Sequence, residues 1–290
     1  MMKNKFEYIL FLLLAFCVKT LGINLSRRFS ILIAILFYYL IPIRKKTVID
    51  NITLAFPEYS KKKVKKLSFR CYRSFAITLV ELLYMPNMTR EEIINSVICT
   101  NPDSILKGYE KNNGVILLSA HFGNWEYIAA SVAAQINIPF VIVTKPQRNP
   151  YVTEWLEKIR TRWENKVVSL GLSIRQIYKE LKEKNVVAMV ADQRGPAEGI
   201  RVNFFGRKVS VYPGPALLSL KTNAPILYGI AVRQPDYSYR TTLVEISKEN
   251  LPENEEEKII EISQRHTSYL EGIMRQYPEQ WFWMHKRWKY

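Results

Sequence analysis

The stretch Gly114-Val-Ile-Leu-Leu-Ser-Ala-His-Phe-Gly-Asn-Trp-Glu126 decides the fold, because a short apolar run ends within it at an imidazole and turn-forming residues. A continuous apolar run of this length, bounded by turn signals, is typical of a buried strand. Gly123 and Asn124 tolerate the backbone conformations of a tight turn. We therefore expect a strand that ends near Ala120, a turn after it, and a helix that begins near Trp125.

His121 and Glu126 are candidates for a catalytic dyad, although they lie five residues apart. On one continuous helix this offset would turn the two side chains roughly 140° from each other, so the predicted turn is needed to bring them together. A neutral imidazole accepts a hydroxyl proton, and a carboxylate on its other ring nitrogen fixes the tautomer and stabilises the imidazolium. We predict that His121 is a general base for an alcohol and that Glu126 orients it.

The same two residues are compatible with other roles. A zinc site needs ligands at a four-residue helical spacing and a third ligand, and the only other histidines are His266 and His285. We therefore expect no metal. A histidine at a strand end, followed by a glutamate in a first helical turn, is also common in proteins that use neither for catalysis, so the context of the pair decides.

The rest of the chain alternates between strand-like and helix-like patterns. Short apolar runs that predict strands lie at residues 114–120, 139–144, 185–191, 225–232 and 239–246, and helical stretches lie near residues 125–135, 151–163 and 173–182. This alternation indicates an α/β sheet with helices on its faces. Active sites in such sheets gather at the carboxyl ends of the strands, where the chain places His121, Lys145 with Arg148, and Asp192.

The length and charge of the chain limit its organisation and its partners. At 290 residues without a long Gly/Ser/Pro stretch, we expect one catalytic domain at residues 47–290 after an apolar leader and membrane anchor at residues 1–46. The formal charge is +16, from 42 Lys and Arg against 26 Asp and Glu. It calls for an anionic membrane, an acidic protein, a phosphorylated substrate or nucleic acid. Nucleic acid is disfavoured because no recognised nucleic-acid motif accompanies the basic residues.

The N-terminus carries two uncharged apolar runs, at residues 8–18 and 29–43. Neither reaches the ~20 residues of a usual spanning helix, although the first would span if it is counted over residues 6–22, and the second would suit the interface or the domain surface. We predict a retained anchor because no small-x-small cleavage site follows Val18. The basic residues after the runs place the domain in the cytoplasm. Two buried core helices are the alternative.

Four motifs allow a comparison with known families. They are His121-x4-Glu126, Asp192-Gln193 after a strand, Asn203-Phe-Phe-Gly206 followed by Gly214, and the segment Pro278-Glu-Gln-Trp-Phe-Trp-Met-His-Lys-Arg-Trp288. Together they resemble the lipid A biosynthesis acyltransferases, which are lauroyl and myristoyl transferases of Gram-negative bacteria within the lysophospholipid acyltransferase superfamily. The resemblance covers nearly the whole chain. It implies an α/β fold with a mixed central sheet, helices on both faces and an N-terminal membrane-anchor helix.

The resemblance also implies roles for the site residues. His121 would take the proton from the acceptor hydroxyl and Glu126 would orient it. Arg160, in the element Arg160-Thr-Arg162, would bind a phosphate or polarise the thioester carbonyl. Asp192 would position Arg160 or another part of the site.

Four more residues are expected to contact substrate. Lys145 and Arg148 follow a predicted strand, where their charges suit an anionic group. Gly123 and Asn124 precede the helix after His121, where backbone amides would stabilise an oxyanion.

The expected reaction is direct attack of a lipid hydroxyl on a fatty acyl thioester. The resemblance implies acyl carrier protein as donor, a lipid A precursor or related anionic lipid as acceptor, and the cytoplasmic face of the inner membrane as location. No metal or organic cofactor is expected, and the absence of a Gly-x-Ser-x-Gly elbow disfavours an acyl-enzyme. Transfer to a lysophospholipid or another glycolipid is one alternative, and a non-catalytic membrane lipid-binding protein is another.

Overall fold

A computed structural model of the chain describes residues 2–110, 113–169 and 174–289. The helices are α1 Met2–Ile35, α2 Lys45–Ala55, α3 Lys61–Tyr84, α4 Arg90–Ser96, α5 Asp103–Glu110, α6 Trp125–Ile136, α7 Pro150–Thr161, α8 Ile174–Lys182, α9 Gly214–Thr222 and α10 Glu255–Gln276. The strands are β1 Val97–Cys99, β2 Val115–Ser119, β3 Phe140–Thr144, β4 Lys166–Ser169, β5 Val186–Val190, β6 Ile200–Phe204, β7 Arg207–Val211, β8 Ile226–Tyr228, β9 Val232–Arg233, β10 Tyr239–Thr241 and β11 Val244–Glu245.

The central sheet has six strands in the order β11-β8-β2-β5-β3-β4. Five of them run parallel, and β11 pairs antiparallel at one edge, so the prediction of a mixed sheet is confirmed. Strand β5 lies between β2 and β3, although it follows both along the chain. Ser119 at the end of β2 pairs with Val190 at the end of β5. Residues just beyond these two ends therefore meet at one edge of the sheet.

Helices cover both faces of this sheet, as the fold prediction required. Ile116 and Leu118 of β2 belong to a core that includes buried residues of α2, α3, α8, α9 and α10. The alternate residues Val115 and Leu117 belong to a second core with buried residues of α4, α5, α6 and α7. Successive strand residues point to opposite faces, which is why every residue of β2 is buried and the run reads as continuously apolar.

Two of the predicted strands are interrupted in the structure. The run at residues 225–232 forms β8 in the central sheet and then β9 in a three-stranded sheet with β1 and β10. The run at residues 239–246 likewise divides into β10 and β11, which belong to different sheets. An apolar run does not reveal that the chain changes sheets, because apolar side chains before and after the change both pack in a core. The predicted helix near residues 173–182 begins at Ile174, and residue 173 lies outside the described residues.

Helix α1 lies along the outside of the domain. Gly22 breaks its regular conformation with φ 73° and ψ 164°, a left-handed value that favours glycine. Before the break, Phe11 packs edge-on against Trp155 of α7, and after it Tyr38 packs against Tyr72 of α3. Among the described residues, 2–40 form the one helical segment whose length and composition suit a membrane span. The alternative of buried core helices is wrong, because apolar side chains along the outer face of α1 are exposed.

Helix α2 holds the segment near the C-terminus against the domain. The buried Asn51 side chain donates hydrogen bonds from Nδ2 to the carbonyl oxygens of Trp283 at 2.8 Å and His285 at 2.6 Å. Arg44, just before α2, donates to the carbonyl of Met284 at 3.0 Å. The segment in turn pairs with the turn after β2, through a bridge between Phe122 and Trp281.

The substitution Asn51→Leu should destabilise the fold, because it leaves two buried carbonyl groups without a donor at nearly constant side-chain volume. We expect a loss of about 1–3 kcal/mol in the free energy of unfolding, measured by denaturant titration in detergent. The exposed Thr53→Ala on the same helix is the control and should change stability by less than about 0.5 kcal/mol. Equal stability of the two variants would contradict the holding role of Asn51.

Candidate active site

The imidazole of His121 is held by Asp192, the residue two positions after β5. His121 Nδ1 lies 2.7 Å from Asp192 Oδ1, and the backbone N–H of His121 donates to Oδ2 at 2.9 Å. Trp281 donates its indole N–H to the same Oδ2 at 2.8 Å. A carboxylate accepts hydrogen bonds, so Nδ1 carries the shared proton in the neutral ring and Nε2 keeps its lone pair for a reactant.

The two groups shift each other's titration. Burial of the imidazole lowers the pKa of His121, but the charge of Asp192 and its hydrogen bond outweigh burial and leave that pKa above its usual value. Burial raises the pKa of Asp192, whereas the charge and hydrogen bonds of His121, together with the Trp281 indole, bring it below its usual value. The pair therefore favours a negative carboxylate beside an imidazole that accepts a proton readily.

Glu126 contacts Arg160 instead of His121. The Arg160 guanidinium donates to both carboxylate oxygens of Glu126, at 2.9 Å and 2.6 Å, and both side chains are largely buried. The expectation that Glu126 orients the imidazole is therefore corrected. Asp192 was expected to position Arg160 or another part of the site, and its contact with His121 fits the second of these roles. Asp192 follows the strand next to β2, whereas Glu126 lies in the first turn of α6 and contacts Arg160 of α7.

The turn between β2 and α6 forms where it was predicted, and it has no space for a side chain at Gly123. Gly123 has φ +53°, and a Cβ there would lie 2.0 Å from the carbonyl oxygen of Ala231. Its N–H donates to the carbonyl of Gln280 at 3.0 Å, and its own carbonyl accepts from the Thr78 hydroxyl at 2.6 Å. The expectation that the Gly123 amide binds substrate is therefore corrected, because that donor already has an acceptor.

Asn124 is fully buried and caps the helix that follows. Its Oδ1 accepts from the backbone N–H of Tyr127 at 3.1 Å, and its Nδ2 donates to Glu81 at 3.1 Å. An asparagine at this position satisfies one of the N–H groups that a helix start leaves without an intrahelical partner. The side chain of Asn124 thus faces the core, and a contact of its backbone amide with substrate stays a prediction.

Lys145 and Arg148 lie apart from the His121 cluster. Both are exposed, and Arg148 forms an ion pair with Glu7 of α1 at 2.7 Å. They follow β3, which β5 separates from β2 in the sheet. Their role in substrate binding stays a prediction.

Residues near the C-terminus complete the surroundings of His121. The ring centroid of Phe282 lies 6.2 Å and that of Trp125 5.0 Å from the imidazole centroid, and the two aromatic rings lie 6.4 Å from each other. His285 Nε2 accepts from the backbone N–H of Arg194 at 3.0 Å, and burial lowers its pKa to about 4, which keeps it neutral. The Trp281 contact was missed, although the motif that contains it was recognised.

The same segment also carries Arg287, whose side chain is buried. Arg287 is buried beneath the surface with 2 % of its area exposed, and it donates to the carbonyl of Ser210 at 2.7 Å. Burial lowers its pKa to about 10 despite the nearby Asp192. Arg287 thus adds positive charge behind the site instead of a group that reaches substrate.

The fold and the site together define a class of protein. A histidine held by a buried carboxylate, within electrostatic reach of the Arg160 guanidinium, is suited to proton abstraction from a hydroxyl group. The chain belongs to the bacterial lipid A biosynthesis acyltransferase family, whose model matches residues 2–290. It is an acyltransferase.

Two relatives illustrate the family. The chain is 24% identical over 248 residues to a lipid A biosynthesis acyltransferase of Shigella flexneri, which covers 85% of this chain and 79% of the relative. It is 24% identical over 249 residues to a lipid A biosynthesis lauroyltransferase of Escherichia coli (strain K12), with the same coverage of 85% and 79%. The predicted family is therefore confirmed.

Asp192→Asn should lower the pKa of His121, because it removes the charge that outweighs burial. We expect the titration midpoint to fall below the ordinary value of about 6.5, as measured by NMR of labelled histidine. His266, whose pKa burial and the charge of Arg287 lower to about 4, provides an internal reference in the same spectra. An unchanged or higher midpoint would show that Asp192 does not set the affinity of His121 for its proton.

Gly123→Ala should disrupt the turn, since the new methyl group would meet a backbone carbonyl that cannot move aside. We expect lower thermal stability and weaker protection of the α6 amides from hydrogen exchange. Gly206→Ala is the control: Gly206 has a similar positive φ of 70° but no atom within 4 Å of an added Cβ. Equal losses in the two variants would assign the effect to backbone conformation alone.

Proposed function

We propose that this protein transfers a fatty acyl group from acyl carrier protein to a hydroxyl group of a lipid A precursor. The family membership and the names of the two relatives support the acceptor. The observation that carries the chemistry is the bond from His121 Nδ1 to Asp192, which leaves Nε2 to act as a base.

In the proposed step, Nε2 of His121 removes the proton of the acceptor hydroxyl as its oxygen attacks the thioester carbonyl. Asp192 stabilises the imidazolium that forms and keeps the ring in place. A carbon–oxygen bond forms, the tetrahedral intermediate collapses, and the carbon–sulfur bond breaks. The proton then passes from His121 to the departing thiolate, so no acyl-enzyme is needed.

Charge that develops on the carbonyl oxygen needs donors that are already in place. The first-turn amides of α6 at Trp125 and Glu126 precede the capped amide of Tyr127, and helix starts of this kind favour negative charge. Arg160 is the second source. Nε and Nη2 of its guanidinium donate to the two carboxylate oxygens of Glu126. We therefore assign Glu126 the role of fixing that guanidinium beside the site.

The two proposed substrates suit the charge of the protein. Acyl carrier protein is acidic and a lipid A precursor carries phosphates, whereas this chain has a net charge of +16. Lys145 and Arg148 are exposed at the same edge of the sheet as the site, one strand further along. We propose that they contact anionic groups of these substrates at a distance from the reacting atoms.

We further propose that the domain works on the cytoplasmic face of the inner membrane, with α1 lying along the bilayer surface. Asn4 near the start of α1 accepts a hydrogen bond from Asn149, and Tyr38 near its end packs on α3. A crossing helix would carry α7 into the hydrocarbon with it, together with its exposed ion pair between Glu154 and Lys158. The outward apolar face of α1 suits an interfacial position instead.

Mass spectrometry of lipids tests the reaction. Purified protein is incubated with acyl carrier protein thioesters of mixed chain length and a tetra-acylated lipid A precursor. We expect one added acyl mass with the wild type and a rate about 100- to 10,000-fold lower with His121→Ala, as for other general bases. Arg160→Lys should also slow transfer, because lysine lacks the fork that Glu126 holds, whereas Lys158→Ala on the same helix should not.

Acyl coenzyme A and lysophospholipid are included as competing substrates. Preference for the coenzyme A thioester would overturn the proposed donor, and acylation of lysophospholipid alone would overturn the acceptor. Transfer to no lipid, with lipid binding retained in His121→Ala, would overturn the catalytic role and favour a lipid-binding protein.

A further inference from the structure

Glu81 of α3 is a charged residue that the proposed reaction does not use, and its side chain has no exposed area. Arg27 of α1 donates from Nε to Glu81 Oε1 at 2.9 Å. Asn124 donates to Glu81 Oε2 at 3.1 Å, and the Tyr239 hydroxyl donates to the same oxygen. One buried carboxylate thus joins the N-terminal helix, the sheet region and the turn after His121.

The contact between Glu81 and Asn124 fixes the orientation of the Asn124 side-chain amide, which has one partner at its nitrogen and another at its oxygen. Nδ2 of Asn124 points at Glu81, so Oδ1 is left to cap the N–H of Tyr127 in the first turn of α6. An amide donates only from nitrogen and accepts only at oxygen. A negative acceptor at Glu81 therefore excludes the flipped amide, in which nitrogen would face the helix start and the cap would be lost.

The contact with Arg27 supplies the counter-charge. The Arg27 guanidinium also lies 5.2 Å from the ring of Tyr237, and its side chain is only 15 % exposed. Removal of one member of a buried ion pair is strongly unfavourable, because the charge that remains has lost its compensation. Arg233 also lies within electrostatic reach of Glu81, but the direct ion pair comes from Arg27, so the buried Glu81 carboxylate is less stable when α1 is not packed against α3.

A second contact from α3 holds the same turn. Thr78, one helical turn before Glu81, donates its hydroxyl proton to the carbonyl of Gly123 at 2.6 Å and accepts from Arg233 at 2.6 Å. Residues three apart on a helix share one face. Thr78 and Glu81 thus present one face of α3 to both residues of the turn, three residues or fewer from the base His121.

We propose that Glu81 is a positioning residue. It links the packing of α1 against α3 to the alignment of the amides in the first turn of α6. When α1 leaves its place, Glu81 loses Arg27, the cap at Asn124 loosens, and the amides beside His121 lose their alignment. Fast acyl transfer thereby requires that α1, whose outer face is apolar, is packed against α3. This role presupposes the acyl transfer proposed above.

Three substitutions in α1 test the link. Arg27→Gln removes the counter-charge and should lower kcat about tenfold with KM unchanged, within the range for groups that act through neighbours. Arg28→Gln removes the same charge from the adjacent, exposed position and should keep kcat within about twofold. Arg27→Lys keeps the charge and should recover most of the lost rate. Equal kcat for Arg27→Gln and wild type, equal losses in both glutamine variants, or a change in KM alone would overturn the proposal.

The double variant Arg27→Gln, Glu81→Gln covers the case in which an unpaired Glu81 prevents folding. Its neutral side chains leave no unpaired carboxylate at position 81, and the oxygen of the new amide can still accept from Asn124. We expect kcat above that of Arg27→Gln alone. A further, additive loss would contradict the link, because independent sites lose rate independently.

Hydrogen exchange at the amides of Trp125, Glu126 and Tyr127 provides a readout that needs no substrate. Arg27→Gln should speed their exchange and Arg28→Gln should not. If the wild type acylated no lipid, the proposed function would fail while this comparison still tested the link. If the wild type were active and the exchange rates of the two variants were equal, only the link would fail.

Discussion

The buried carboxylate of Asp192 is the group on which the site depends. It accepts the ring proton and the backbone N–H of His121 and the indole N–H of Trp281. A buried carboxylate without donors is costly, so the ends of β2 and β5 and the segment near the C-terminus must all arrive together for the charge to be tolerated. The same three contacts hold the imidazole in one orientation and do not involve Nε2, which lies 3.5 Å from the side-chain nitrogen of Gln193.

Three buried carboxylates around the turn at Gly123 each bind a different basic side chain. Asp192 pairs with His121, Glu126 with Arg160, and Glu81 with Arg27. Each carboxylate binds a basic side chain from a different element, so the imidazole and both guanidinium groups are fixed in place. Charges that are aligned before the substrate binds stabilise a transition state without reorganisation. A site of this kind depends on the surrounding fold more than on any single side chain.

The local part of this arrangement could be predicted from sequence. The strand, the turn and the helix around His121 follow from an apolar run, Gly123 and Asn124, and all three are observed. The partners of the carboxylates could not be predicted, because strand order is not local. Placement of β5 between β2 and β3 puts Asp192 next to His121 and moves Lys145 one strand away. Likewise, the contact of Trp281 depends on a chain segment far from either strand.

Because Asp192 accepts a hydrogen bond from Trp281, the site around His121 is completed late in the synthesis of the chain. Helix α1 leaves the ribosome first and can meet a lipid surface while the sheet is still incomplete. The carboxylate of Asp192 receives its last donor only after residue 281 has been translated, long after His121. The N-terminal helix is therefore complete well before the carboxylate that holds His121 has all of its donors.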